Sequence, residues 1–278
     1  MQSSHIKKLS FVAILSVAFS PLTHSADIAR ELRTNADKNS APENFFEVGI
    51  NARAGIGSSL TEEDGKETGY GINVSGSYNW NNFFIDVGME TNEPLVIGYN
   101  TFKSENWSFD LMLGATNGGI SEDTDDRFIG ITKRQSSTML GGRLTGYFGK
   151  NILQISLKHD VRNRSKGTVA SALLGRNWQV NDWNVHGLAG LTLADAKFND
   201  YYLGVSDAEA VVTNFEAYDG KASVHFNSSV GVTYPLSENW EFRATAYAGS
   251  DFGYNDSSLF SKKRDFYTGI SSSISYEF

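Results

Sequence analysis

The sequence predicts an all-β fold, an antiparallel transmembrane β-barrel of about twelve strands. Three observations support this prediction. Apolar residues recur at every second position in twelve separate segments, the connections between these segments alternate between short and long, and none of the four prolines lies inside a segment. A period of two is typical of a strand with one apolar and one polar face. The placement of the prolines suits strands whose N–H groups must all be hydrogen-bonded in lipid.

The N-terminus is typical of a secretory signal. Two lysines are followed by an apolar stretch over residues 9–22 and by small residues before a cleavage position near Ala26. The apolar stretch is too short to cross a membrane as a helix. We therefore assign 1–25 to a signal peptide, 26–44 to a polar periplasmic N-terminal segment and 45–278 to the barrel. For the segment 26–44, three roles stay open: a flexible tail, a partner-binding segment or a plug.

The strands follow from the alternation. In 151–161, for example, leucine, isoleucine and valine on one face alternate with glutamine, serine, lysine and aspartate on the other. Most segments have close to the roughly 9–11 residues that a tilted strand needs to cross a bilayer. The predicted strands are 45–57, 69–80, 83–90, 95–103, 107–116, 137–148, 151–161, 167–178, 183–193, 221–234, 240–250 and 264–278.

The connections differ between the two ends of the predicted barrel. Those after the even-numbered strands are short, at 81–82, 104–106, 149–150, 179–182 and 235–239. Those after the odd-numbered strands are mostly longer, at 58–68, 91–94, 117–136, 162–166, 194–220 and 251–263. An even strand number with short periplasmic turns and long outer loops is typical of bacterial outer-membrane barrels.

The tryptophans give an independent test of this topology. All five lie beside a short turn: Trp80, Trp107, Trp178, Trp183 and Trp240. Indole prefers the boundary between membrane and water, where the ring is in an apolar region and its N–H is wet. We therefore predict a periplasmic aromatic belt at these positions. A soluble β-sandwich or a lipocalin-like barrel would also alternate, but neither gives a reason to place tryptophan along one rim.

The last strand carries a predicted assembly signal. Ile274, Tyr276 and the terminal Phe278 lie on one face of an alternating strand. Many outer-membrane barrels end in this way, and the pattern resembles the signal that the barrel-assembly machinery reads. The expected partners therefore include that machinery, together with the lipid and lipopolysaccharide of the cell outer membrane.

Composition excludes several classes of function. The chain has no cysteine, which rules out disulfides, thiolate catalysis and cysteine-ligated metals. Its net charge is −8, and −10 after removal of 1–25, which argues against a nucleic-acid partner.

No catalytic, cofactor-binding or metal-binding residue is predicted. His159, His186 and His225 lie in different strands without the spacing of metal ligands, and we interpret them as polar residues of the lumen or rim. The acidic stretch 122–126 lacks the glycine and the later glutamate of an EF-hand loop. We interpret it as a solvated loop, with loose binding of Ca²⁺ or Mg²⁺ beside lipopolysaccharide as the alternative.

Charged residues are also expected inside the barrel. They are Asp86, Asp110, Lys158, Asp160, Glu241, Arg243 and Glu277, each on the polar face of its strand. Charges in such an interior must pair or stay wet. Structural pairing is the first interpretation, and a path for polar solutes is the alternative.

The second half of the chain carries a series of motifs. They are Asn177-Trp178, Trp183 with Gly187, Ala189 and Gly190, Asp200-Tyr201-Tyr202-Leu203-Gly204-Val205-Ser206 with Glu209-Ala210, Tyr218 with Gly220, and Thr233-Tyr234-Pro235-Leu236-Ser237-Glu238-Asn239-Trp240. This series resembles the MltA-interacting protein (MipA) / OmpV outer-membrane family. The first half matches the family more loosely. Within the longest predicted loop, we expect the family loop motif (Asp200, Tyr201, Tyr202, Gly204, Val205 and Ser206) to pack as a lid over the barrel mouth rather than to bind a ligand.

The resemblance implies a function without catalysis. The best-described member of the family is a scaffold that bridges a lytic transglycosylase and a bifunctional penicillin-binding protein, and other members are linked to adhesion, osmotic response and antibiotic uptake. We therefore expect a non-enzymatic scaffold for murein-synthesising and murein-hydrolysing enzymes. The alternatives are a narrow channel for small polar solutes and a surface adhesion protein. A barrel enzyme is disfavoured because no nucleophile–base pair is visible.

Overall fold

The computed structural model describes residues 28–33, 44–61, 64–88, 94–116, 119–122, 125–250, 252–253 and 255–278. Twelve antiparallel strands in these residues form a closed barrel in which each strand pairs with its neighbours in sequence, and β1 pairs with β12. The predicted fold class is therefore confirmed. The signal peptide predicted for 1–25 lies outside the described residues.

The observed strands match the predicted ones closely. The largest differences are that β2 begins three residues earlier than predicted and that β3 ends at Val87, while Pro235 is the last residue of β10 rather than part of a connection. The strands are β1 (Phe45–Ile56), β2 (Lys66–Trp80), β3 (Phe83–Val87), β4 (Leu95–Lys103), β5 (Trp107–Ala115), β6 (Thr138–Phe148), β7 (Asn151–Asp160), β8 (Thr168–Val180), β9 (Trp183–Ala194), β10 (Ser223–Pro235), β11 (Trp240–Ser250) and β12 (Phe266–Glu277).

Within the described ranges, four short helices accompany the barrel. They are α1 (Ile28–Arg33), α2 (Ala196–Leu203), α3 (Asp207–Val212) and a 3₁₀ helix at Asp126–Phe128. None of the helices in the described ranges is both long enough and apolar enough to span a membrane. Helix α1 lies inside the barrel against β7, β8 and β9, whereas the other three belong to the long loops. The segment 26–44 is predicted to be periplasmic, but the helix that the structure describes within it lies inside the barrel lumen.

Several residues in the tight turns have a positive backbone φ angle. Asn81 and Asn82 both have positive φ, at 46° and 71°, and so do Gly149 and Asn181 in the corresponding turns, at 63° and 53°. Two-residue hairpin turns with positive φ match the right-handed twist of the strands, and asparagine and glycine tolerate that conformation best. These turns therefore set the register of the hairpins at one end of the barrel, which we call the short-turn end.

The two faces of the wall are reversed relative to a soluble barrel. Leu157 is 59% exposed on the outer surface, and every strand has at least one other large apolar residue exposed there. Glu47 and Asp110, in contrast, are buried inside the barrel. In β7, Ile155 and Leu157 face outward as the alternation predicts, together with His159 near the end of the strand, whereas Gln154 and Ser156 face inward. An apolar exterior around a polar interior is the arrangement of a barrel in a lipid bilayer.

Candidate functional site

The interior of the barrel is occupied at the short-turn end by helix α1. Ile28 and Leu32, four residues apart on one face of the helix, pack against Ile152 of β7 and Leu173 of β8. Gly175 lies directly beneath Leu32, and a side chain at this position would overlap the leucine methyl groups. The wall is therefore shaped to receive the helix, which acts as a plug.

Charged residues of α1 contact the opposite side of the wall. The Arg30 guanidinium carbon lies 3.1 Å from the centroid of the Phe45 ring. Its Nη2 is 3.3 Å from Glu277 Oε2, and its Nη1 is 3.8 Å from Glu47 Oε2. One turn along the helix, Arg33 Nη1 lies 3.9 Å from Glu241 Oε1. The plug is thus held by apolar packing on one side and by ion pairs on the other.

Hydrogen bonds from the wall complete the attachment of α1. The Tyr147 hydroxyl donates to Glu31 Oε1 over 2.7 Å. The carbonyl of Leu32 accepts from Asn177 Nδ2 at 3.2 Å and from Asn184 Nδ2 at 3.0 Å. The last carbonyls of a helix have no partner within the helix, so the two asparagines of the wall stabilise its C-terminal end.

Four of the predicted lumen charges, Asp86, Asp110, Glu241 and Arg243, contact other residues of the wall. Asp110 accepts from Arg143 Nε at 3.0 Å and from Asn100 Nδ2 at 2.7 Å. Asp86 accepts from the Ser77 hydroxyl at 2.7 Å. Arg243 contacts both Glu47 and Glu241. These contacts fit the structural interpretation of the predicted lumen residues.

The other two predicted lumen charges lie toward the opposite end. Lys158 and Asp160 both face inward in β7. The Asp160 carboxylate accepts backbone N–H bonds from Arg162 and Lys166, each at 3.0 Å. Asp160 thus supports the connection between β7 and β8 rather than a path through the lumen.

A second apolar cluster closes the long-loop end. It combines residues of four connections, those between β1 and β2, β5 and β6, β9 and β10, and β11 and β12. Its buried members are Ile120, Phe128, Ile131, Val205 and Leu259, with Leu60, Ala210, Phe215 and Tyr218 packed around them. We call this assembly the lid.

The family loop motif lies within the lid. The Tyr201 hydroxyl accepts the N–H of Gln135 at 2.8 Å, and the Tyr202 hydroxyl accepts the N–H of Ser137 at 3.0 Å. Tyr202 is also 2.6 Å from the Thr116 hydroxyl. Both tyrosines therefore attach the connection between β9 and β10 to the connection between β5 and β6.

The other motif residues fold their own loop. Asp200 Oδ1 accepts the N–H of Gly220 at 2.9 Å, and Val205 pairs with Tyr218 through two backbone hydrogen bonds of 2.9 Å. A side chain at Gly220 would collide with the backbone of Asp200. Ser206 is the N-cap of α3 and forms a capping box with Glu209. The motif is thus explained by hydrogen bonds that hold the lid together.

Glu209 is a buried carboxylate in the lid that binds groups from two loops. It accepts from the N–H groups of Ser206 and Thr132, both at 2.9 Å, and pairs with Arg134 Nη2 at 3.1 Å. Burial disfavours the charged carboxylate, but the hydrogen bonds from Ser206, Thr132 and Arg134 outweigh it and lower the pKa of Glu209 to about 2. The carboxylate is therefore ionised at neutral pH and links two loops.

The predicted belt tryptophans lie on the outer surface near the short turns. Trp80, Trp178, Trp183 and Trp240 are exposed, and Trp107 is half-buried. Several of them contact further aromatic rings, for example Trp107 with Phe148, Trp183 with Tyr234 and Trp240 with Tyr276.

The predicted assembly signal adjoins this ring of aromatic residues. The Phe278 ring lies 4.7 Å from that of Tyr276 and 5.8 Å from that of Phe46. The N–H of Phe278 donates to the Phe46 carbonyl at 2.9 Å. Ile274 faces outward in the same strand. The C-terminal residue is thus at the junction of the last strand with the first.

The histidines do not converge. His159 faces outward and contacts Thr168, whereas His186 and His225 face the lumen and contact Asn184 and Ser223. Among the described residues, no group of three histidine, aspartate or glutamate side chains could hold a metal ion. In the acidic stretch 122–126, Asp125 caps the 3₁₀ helix, and residues 123–124 lie outside the described part of the chain.

The contacts of α1 with the barrel wall do not follow from the sequence pattern. The available signal was the spacing of Ile28 with Leu32 and of Arg30 with Arg33, which places two apolar and two basic residues on separate faces of a helix. That spacing predicts an amphipathic helix but does not identify the surface that it contacts.

Comparison with known proteins identifies the family of this plugged barrel. The family model described as MltA-interacting protein MipA matches residues 49–278. The chain belongs to the MipA family. As a member of it, the protein is an outer-membrane β-barrel.

Relatives of this MipA-family chain include two outer-membrane proteins of Vibrio. The outer membrane protein OmpV of Vibrio cholerae is 25% identical over 198 residues, which is 68% of this chain and 73% of that protein. The outer membrane protein Omp26La of Vibrio anguillarum is 25% identical over 162 residues, which is 57% of this chain and 63% of that protein.

Among solved structures, the similarity is weaker. The toluene transporter TodX of Pseudomonas putida has a TM-score of 0.41 and 11% identity, with 86% of this chain and 90% of that chain covered. The KdgM porin has a TM-score of 0.41 and 10% identity, with 83% of this chain and 99% of that chain covered. The twelve-stranded architecture of the MipA-family chain rests on its own strand pairing.

Proposed function

We propose that this MipA-family barrel is a non-enzymatic scaffold that docks murein enzymes at the periplasmic face of the outer membrane. The observation that carries the proposal is the occupation of the barrel at both ends by its own chain, by α1 at the short-turn end and by the lid at the other. A barrel filled in this way offers surfaces rather than a wide path for solutes. The family description, which names an interaction with MltA, supports a murein enzyme as the partner.

The docking surface in this proposal is the short-turn end, because outer-membrane barrels place their short turns in the periplasm. Helix α1 is buried in the lumen and contributes little to that surface. The turn between β10 and β11 offers the exposed apolar side chain of Leu236, at 51% exposure, next to the exposed Glu238. An apolar residue in a polar surround is the usual composition of an interface centre. The partners proposed are a lytic transglycosylase of the MltA type and a bifunctional penicillin-binding protein.

The test is direct binding to both enzymes in purified form. The full chain in detergent is immobilised, and each enzyme is titrated by surface plasmon resonance. We expect Leu236→Glu to weaken binding about tenfold or more, since truncation or charging of an interface centre costs at least ~1.4 kcal/mol. Val211→Glu is the matched control, because Val211 is 84% exposed at the long-loop end. The proposal would be overturned if neither enzyme bound the barrel. It would also be overturned if Leu236→Glu and Val211→Glu weakened binding equally.

A narrow channel is the second candidate, and one observation favours it. Much of the attachment of α1 consists of ion pairs and hydrogen bonds to the wall, and those interactions can be exchanged for water or ions. In planar bilayers, we expect the intact scaffold to show no steady conductance. Steady conductance together with no binding of a murein enzyme would replace the scaffold by the channel.

A further inference from the structure

An apolar groove runs along the lipid-facing surface of the barrel at β5, β6, β7 and β8. It has a volume of about 480 Å³, and its outward lining includes Phe109, Leu140, Leu144, Ile155 and Leu157. Gly142 lies among these residues, and the Phe109 ring leans over it so that an added side chain carbon would be 2.7 Å from the ring. Its volume falls within the ~300–1,000 Å³ of small-molecule sites.

A cluster of positive charge lies on the connection between β7 and β8. Residues 161–167 include Arg162, Arg164 and Lys166 and no acid, within a chain whose net charge is −8. The backbone of this connection is fixed by the bonds from Arg162 and Lys166 to the buried Asp160, each at 3.0 Å. Arg162 and Lys166 are exposed. The connection is thus a rigid basic turn.

The basic turn and the groove are continuous. His159 and Thr168 line the end of the groove toward the long loops, and their side chains are 3.0 Å apart. His159 and Thr168 flank the basic turn in sequence. Arg162 is three positions after His159, which corresponds to roughly 10 Å of extended chain. An elongated amphiphile could therefore place its apolar part in the groove and its anionic group at the turn.

We propose that this surface binds a phosphorylated glycolipid of the outer leaflet, of the lipid A type. The long loops of outer-membrane barrels face the outer leaflet, so the basic turn lies at the level of that leaflet's phosphates. Guanidinium groups donate charge-assisted hydrogen bonds to phosphate oxygens. An acyl chain of the same molecule occupies the groove.

Charge argues against a second copy of the barrel as the occupant. In a two-fold dimer within the membrane, the same patch of both copies meets across the axis. The two basic turns would then adjoin at the same level and repel each other. A phosphate-bearing ligand instead neutralises the turn.

The experiment measures binding of purified bisphosphorylated lipid A to the delipidated full chain in detergent by native mass spectrometry. The variant Arg162→Ala/Lys166→Asn removes two exposed charges, and asparagine accepts the positive φ of 53° at position 166. We expect lipid A to bind this variant about tenfold or more weakly, because it loses two charge-assisted contacts. The control Lys262→Ala/Lys263→Asn removes two charges from another long loop and should change the affinity less than about twofold.

A second pair of variants tests the groove. Leu157→Trp fills it and should weaken lipid A binding, whereas Leu174→Trp adds the same ring to an exposed position of β8 outside the groove lining and should not. Equal binding to the basic-turn variant and the wild type, or no effect of Leu157→Trp, would overturn the proposal.

The choice of ligand is tested on the unmodified protein, which avoids any folding defect of a variant. Dephosphorylated lipid A and phosphatidylglycerol should both bind at least about tenfold more weakly than bisphosphorylated lipid A. Equal affinity for dephosphorylated and bisphosphorylated lipid A would show that the basic turn does not bind the phosphates, which would overturn the proposal. Equal affinity for phosphatidylglycerol would show a general anionic-lipid surface and overturn the assignment to a glycolipid.

Discussion

At the scale of single residues, Glu209 shows how one side chain joins distant parts of the lid. Its carboxylate binds the N-terminus of α3 and, at the same time, Thr132 and Arg134 in the connection between β5 and β6. A carboxylate that accepts several hydrogen bonds stays ionised well below its usual range. The lid should therefore depend on pH through this group.

The first prediction concerns that dependence. The pKa of Glu209 is lowered from 4.5 to about 2, so its contribution is complete above pH 4.5 and is lost as the pH falls toward 2. At pH 6, we expect Glu209→Gln to destabilise the lid by about 1–3 kcal/mol, seen as faster hydrogen exchange at Thr132 and Ser206 than in the wild type at the same pH. Near pH 2, the two proteins should exchange at similar rates. A difference that does not diminish on acidification would contradict this role.

The second prediction tests which face of the wall meets lipid. Val230 lies at the middle of β10, is 61% exposed and faces outward, whereas its neighbour Ser229 faces the lumen. We expect Val230→Arg to cost roughly 2–4 kcal/mol of folding free energy in lipid and Ser229→Arg less. Urea unfolding of both variants in the same vesicles measures the difference. Equal costs would contradict the assigned faces.

At the scale of elements, the strands could be predicted and their partners in the lumen could not. The strand bounds follow from an alternation that is local in the sequence. Helix α1 is different, since Leu32 contacts Asn177 and Asn184 about 150 residues later, and no local pattern encodes that contact. The lid tyrosines were predicted to pack over the mouth, but their targets at 135–137 depend on which loops the closed barrel brings together. The basic turn was visible as three charges in seven residues, yet the groove below it depends on outward residues of neighbouring strands.

The third prediction concerns the plug. Arg30→Ala/Arg33→Ala removes the ion pairs with Glu47, Glu277 and Glu241 and leaves the apolar face of α1 intact. We expect at least about tenfold faster hydrogen exchange in residues 28–33 without loss of the barrel. Arg53→Ala is the control, because Arg53 faces the lumen from β1 near the long-loop end. Unchanged exchange in the double variant would show that apolar packing alone holds the helix.

The fourth prediction concerns the last strand. Deleting Phe278 removes one backbone hydrogen bond and two ring contacts. We expect refolding into detergent at nearly normal yield, because that process needs no assembly machinery. In cells, we expect slower insertion, with protein accumulating in the periplasm, which is the result that a signal for the assembly machinery in this strand predicts. Fractionation after pulse labelling measures the insertion rate. Normal outer-membrane levels under strong expression would contradict an assembly signal at this residue.

At the scale of the whole molecule, the two ends differ in construction. The short-turn end has tight turns and a rim of aromatic side chains, while the long-loop end has three short helices and an apolar cluster. This asymmetry follows from the alternation of short and long connections in the sequence, which also predicts the direction of the barrel in the membrane.

The fifth prediction tests that direction. Because the chain has no cysteine, single cysteines can be introduced as unique labels. Val211→Cys, in the exposed part of α3, should react with a membrane-impermeant maleimide in intact cells, whereas Leu236→Cys should react only after the outer membrane is opened. The opposite labelling pattern would invert the topology.

The position of α1 also constrains the order in which the protein matures. The helix precedes β1 in the chain, yet it packs on β7, β8 and β9, and the barrel becomes a closed ring only when β1 pairs with β12. Synthesis therefore delivers the plug first and its binding surface more than one hundred residues later. Contacts this distant in sequence form late, because a long loop must be closed first. The helix therefore stays unpacked until the C-terminal half of the chain is available, and a chain truncated before β7 lacks the three strands on which the helix packs.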